Sequence, residues 1–165
     1  PDTLWLDEKL GVTFPVSFRA DSKNGSVSNP KFLRSIDQFS LWLEEQDEVN
    51  HVTSLARTMK TLNESMHGDD VNWKVIPDDQ ELSSQYLFFY EMSLPMGLDM
   101  NSSISQDRGS TKIAATLKDM SGNEYLAFNE KVNAYLDENG LNSIISEPAG
   151  FRVVFSHMNL SLIHI

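Results

Sequence analysis

The chain has 165 residues, 40% of them hydrophobic, and a formal net charge of -11. That length holds one domain with a proper core and is short for two, and an acidic surface repels phosphate backbones, so nucleic acid is excluded as a partner. There is no Cys, which removes disulfides, zinc-thiolate sites and cysteine nucleophiles together and fits an envelope compartment.

Val12, Phe14, Val16, Phe18 and Ala20 alternate with Thr13, Pro15, Ser17 and Arg19, the period of two of a half-buried strand. Pro15 cannot donate to a ladder, so this strand belongs at an edge or carries a bulge. After a Gly/Ser/Asn loop, Asn29 reads as an N-cap with Pro30 at the first helical position. Phe32, Ile36, Phe39 and Leu43 form one apolar stripe, giving a helix to about Gln46. Val49 to Thr53 reads as a short strand. Leu55, Met59, Leu62 and Met66 then repeat at helical spacing until Gly68 stops them.

Asp78, with Glu81 three residues on, starts a third helix that ends before Pro95. Met100 to Ser105 and Ser110 to Leu117 read as two strands about a turn at Asp107, Arg108 and Gly109. Ser121 and Glu124 form a capping box for a helix carrying Tyr125, Phe128, Val132 and Tyr135, closed by Asn139 and Gly140. Phe151 to Phe155 is the last strand. With a two-helix insertion at about 54–97 set aside, the order is βαββαβ. The class is therefore α+β, and the pattern is that of a ferredoxin-like split βαβ sandwich, a single domain over 1–165. Its sheet should have four or five strands, with the helices 29–46 and 121–139 on one face.

Little in the sequence points to catalysis. His67, Asp69 and Asp70, with Asp78 and Asp79 beyond, come nearest to a metal cluster. Ligation needs side chains converging from a rigid frame, and adjacent Asp residues point apart, so a helix C-terminus followed by a solvated acidic loop explains them. Met92, Met96 and Met100 invite a Cu(I) reading, but Pro95 and Gly97 interrupt any shared helical face, and Met readily fills gaps between helix and sheet. Neither GxGxxG nor GxxxxGK occurs, and the paired acids Glu44/Glu45, Asp69/Asp70 and Asp78/Asp79 fall at turns and helix ends. The expectation is a protein with no enzymatic activity, metal or cofactor.

The insertion holds the most informative stretch, SSQYLFFYEMSLPM at 83–96. Leu82, Tyr86 and Phe89 share one helical face and read as core. Leu87, Phe88, Tyr90 and Met92, with Met96 past the proline, point elsewhere. They are the candidate residues for an exposed apolar surface that meets a substrate or a neighbouring subunit. Trp42 and Trp73 are weaker candidates; Trp73 could stack against the insertion or anchor its loop.

Several segments, in this order and spacing, resemble the extracytoplasmic region of bacterial RND-superfamily exporters, in the branch of the MMPL-type lipid exporters. They are LGVTFPVSF at 10–18, NPKFLRSIDQFSLWLEEQ at 29–46, VNHVTSLARTMKTLNESMHGDD at 49–70, SQYLFFYEMSLPMGLDMNSSISQD at 84–107 and FSHMN at 155–159. The resemblance implies a porter-like periplasmic domain of a proton-driven inner-membrane exporter. Such a domain would form part of a pathway for hydrophobic or lipid-like substrates and would contact other subunits in a homo-oligomer. The family's porter subdomains are βαββαβ sandwiches. Its proton-carrying acids lie in transmembrane helices, so none is carried over to this chain.

No stretch here approaches the ~20 apolar residues of a membrane span. With a first residue Pro1, that fits a segment trimmed of transmembrane helices, whose partners would be those helices and a second periplasmic loop. A free-standing periplasmic ligand-binding protein is the rival reading, and a metal-dependent enzyme built on the acidic loop is a third.

Overall fold

The computed structural model describes residues 13–23, 25–95, 103–146 and 148. Strand β1 spans Phe14–Asp21 and leads through a tight loop into helix α1, Pro30–Glu44. The side chain of Asn29 accepts from the amides of Lys31 and Phe32, and Pro30 at the first helical position needs no donor there. Strand β2, Val49–Thr53, is followed at once by α2, Leu55–Met66, N-capped by Ser54. A 3-10 turn, Val71–Trp73, and helix α3, Gln80–Ser93, come next. Strand β3, Ser110–Leu117, and helix α4, Gly122–Glu138, complete the described elements.

Among the described residues the sheet has three strands in the order β1-β3-β2, with β3 antiparallel to both neighbours. Thus β1 and β2, joined through α1, run parallel with β3 between them. Val16, Phe18 and Ala20 of β1 lie on the same face as Ile113, Ala115 and Leu117 of β3 and Val49 and Val52 of β2, and all are buried. The opposite face presents Ser17, Arg19, Lys112, Thr116 and His51, none of them buried. Helices α1 and α4 lie side by side over the apolar face. The Phe39 ring meets Phe18 edge-on at 5.0 Å, and Trp42 of α1 stacks on Tyr135 of α4 at 4.2 Å. Lys131 of α4 also reaches Glu48 just before β2, at 2.9 Å.

The expected α+β class is present, and so is each helix. Of the strand expected at 100–105, residues 103–105 are described and Ile104 bridges Thr111; residues 100–102 lie outside the described residues, as does the strand expected at 151–155. The turn between is tight, because Arg108 adopts φ 55 and Asp107 accepts from the Gly109 amide at 3.0 Å. The capping box at Ser121 and Glu124 is formed, and Gly140 ends that helix at φ 65.

Pro15 obeys the rule that placed it. Arg19 turns its carbonyl away from β3, toward the Ser146 amide at 2.9 Å, and Asp21 turns its amide the same way, to the Ile144 carbonyl at 2.8 Å. Residues of that parity, Pro15 among them, aim their backbone groups at the outer edge of β1. The missing N–H therefore removes nothing from the β1-β3 ladder.

Candidate functional site

Helix α3 begins one residue later than the sequence suggests. Its N-cap is Asp79, which accepts from the Glu81 amide at 2.9 Å, while Asp78 is drawn away to the guanidinium of Arg34. At the other end Leu94 is extended, with ψ 138, as a residue before proline must be.

The face that α3 buries differs from the expected one. Ser83, Tyr86 and Leu87 are buried, whereas Phe89 is 54% exposed. Leu87, proposed for the outer face, is 0% exposed and belongs to the core. Tyr86 faces inward in either arrangement, and its hydroxyl donates to Asn63 Oδ1 of α2 at 3.1 Å. At ~100° per residue Leu87 and Ser83 lie on one side of Tyr86 and Phe89 on the other, so burying the first two with Tyr86 leaves Phe89 outside the buried arc. The outer face then carries Phe88 at 56% and Met92 at 68% exposure together with Phe89. Phe88 and Phe89 touch each other, with ring centroids 6.2 Å apart. Tyr90 sits at the flank, half-buried. Met96 lies outside the described residues, as does Met100.

Asn63 is the residue that sequence reasoning missed. It is 2% exposed, and its whole side chain is used. Oδ1 accepts from Tyr86, and Nδ2 donates to the carbonyls of Trp73 at 2.8 Å and Val75 at 3.1 Å. Its backbone carbonyl accepts from His67 Nδ1 at 2.8 Å, and the His67 ring stacks on Trp73 at 3.7 Å. The available signal was its spacing: four residues after Met59, a polar side chain interrupts the buried stripe. Buried polar groups need partners, and Asn63 gathers its own from the loop and α3.

The acidic residues of the loop have structural roles. Asp70 caps the 3-10 turn through the Asn72 amide at 3.0 Å, and Gly68 with φ 71 and Asp69 with φ 61 form the left-handed corner before it. Among the described residues, no three His, Cys, Asp or Glu side chains converge to hold a metal. A cleft of about 420 Å³ lies beside this loop, lined by Arg34, Asp37, Lys60, Lys74 and Asp78. Its charges are matched: Lys60 meets Asp37 at 2.7 Å, Lys74 meets Glu64 at 3.2 Å, and Arg34 pairs with Asp78. A second cleft, about 450 Å³, opens near Lys23, Lys31 and Ile144. A third, about 380 Å³, is rimmed by Asp47, Glu48, Asp119 and Glu124. Partial burial works to raise the Glu48 carboxyl, but its hydrogen bonds to Lys131, with the positive charge of Lys131 and Lys118, outweigh this and hold it below the usual range. The Tyr125 phenol is pushed up to about 12 by burial.

The outward apolar face of α3 is therefore the feature that packing within the described residues does not account for. No helix among them is long and apolar enough to cross a membrane. No family model, curated protein or solved structure matches the chain.

Proposed function

We propose that this chain is a porter-like periplasmic domain of a proton-driven RND-family exporter, with no chemistry of its own. It would form part of the pathway for hydrophobic or lipid-like substrates and part of the contact between subunits. The observation that carries this reading is the outer face of α3, where Phe88, Phe89 and Met92 stand in solvent side by side. Placing such residues outward exposes apolar surface to water, which is unfavourable unless something covers it in the working protein. The sequence segments set out above supply the rest of the support. The parent protein would be integral to the bacterial inner membrane, with this domain on its periplasmic side, and its partners would be the transmembrane helices, a second periplasmic loop and further copies of itself.

The same reading carries a finer fold, a ferredoxin-like sandwich with 151–155 as its fourth strand beside β1. Two observations favour it: β1 and β2 flank an antiparallel β3, and the chain at Ile145 already bridges Ala20 on the outer edge of β1. Cross-strand NOEs between 151–155 and β1 are expected in solution. Their absence, with NOEs placing that segment elsewhere, would end the ferredoxin-like assignment.

Export by the full-length protein tests the function. Phe88→Ser combined with Met92→Ser should reduce efflux of a hydrophobic substrate severalfold at unchanged protein level, while the isolated domain unfolds as before. Unimpaired efflux would remove the substrate and subunit role from this face. A reading frame without about a dozen transmembrane helices around the segment would remove the exporter altogether.

A further inference from the structure

We infer that residues 67–95 form a separately opening unit, latched to the sandwich through Asn63 and released from it as a whole. The inference stands apart from the exporter reading, since it rests only on how this segment is attached.

The attachment is thin. Within 67–95 the buried apolar side chains are Ile76, Pro77, Tyr86 and Leu87, with Leu82 partly buried against the core, whereas Val71, Trp73, Val75, Phe88, Phe89 and Met92 are exposed. A segment that buries so little apolar surface belongs to the low end of the range of local opening energies.

What attachment there is converges on one side chain. Asn63 holds the 73–75 turn through two donated bonds and holds α3 through the Tyr86 hydroxyl. Its carbonyl also fixes His67, on which Trp73 stacks. Because one amide serves both pieces, neither can leave without breaking what orients the other. Ion pairs at the rim, Arg34 with Asp78, Lys74 with Glu64 and Arg108 with Glu91, are exposed or partly so and add little. Each end of the unit has a backbone feature suited to a hinge: the left-handed corner at Gly68 and Asp69, and Leu94 held extended before Pro95. Helix α2 stays behind, since Leu55, Ala56 and Met59 are buried in the main core and Lys60 and Arg57 pair with Asp37 and Glu44 of α1. Release would free the inner face of α3, Tyr86 and Leu87, giving this segment two apolar faces to offer.

Native-state hydrogen exchange on the full chain tests this. Amides of α3 beyond Ser83 and those of Trp73, Lys74 and Val75 should share one opening free energy, below that of α1 and β3. Asn63→Ala should speed both sets together by about tenfold or more and leave α1 and β3 unchanged. Tyr86→Phe, which removes only the hydroxyl, should move both sets in the same direction by a smaller factor and covers the case in which Asn63→Ala does not fold. Exchange of α3 at the rate of β3, or acceleration of α3 without the 73–75 turn in Tyr86→Phe, would overturn the inference.

Discussion

Replacing Leu87 by Ala is expected to lower the unfolding free energy by about 2–5 kcal/mol, while Phe88→Ser and Phe89→Ser each change it by less than about 1 kcal/mol. The difference follows from position around one helix. Leu87 is 0% exposed and faces α2, so truncation leaves a cavity as well as losing the transfer term. Phe88 and Phe89 are more than half exposed, so most of each ring already meets water, and removing it returns little surface to solvent. Urea unfolding of the three variants, read as shifts in midpoint at constant slope, measures the contrast. A loss at Phe89 as large as that at Leu87 would mean that α3 is turned the other way, with the outer face of the proposed function inside.

The largest loss from a single truncation is expected at Phe39, about 3–5 kcal/mol for Phe39→Ala. This ring joins the three parts of the sandwich. It meets Phe18 of β1 edge-on at 5.0 Å and stacks with Trp42 at 6.0 Å and Tyr135 of α4 at 6.2 Å. Emptying its place removes aromatic contacts beyond the area buried, and the rings around it are too rigid to close the gap. Tyr135→Ala should cost less, because Tyr135 is only partly buried. The double variant should fall short of the sum, since the two rings share one contact. Thermal or urea unfolding of the four proteins completes the cycle, and strict additivity would contradict the stacking of α1 on α4.

The sequence by itself determined the elements whose signals are local. Asn29 with Pro30, Ser121 with Glu124, and Gly140 each act within one turn of backbone, so the ends of α1 and α4 were readable before any packing was known. The buried stripe of Phe32, Ile36, Phe39 and Leu43 was equally plain, because the other face of that helix is mostly polar. Pro15 was compatible with β1 because its missing donor faces away from the β3 ladder.

Only the tertiary structure decided which way α3 faces. Leu82, Tyr86, Leu87, Phe88, Phe89 and Tyr90 offer apolar groups around most of the helix, so periodicity chooses no single face. Asn63, twenty-three residues earlier in the chain, ties Tyr86 inward through its buried amide, and packing against the core decided which neighbours of Tyr86 joined it. The buried arc runs from Tyr86 through Ser83 to Leu87, and Phe89, on the other side of Tyr86, falls outside it. Asp78 is a second case: its carboxylate pairs with Arg34 while Asp79 caps α3. In each instance a polar group found a partner distant in sequence, and that pairing is a property of the folded chain.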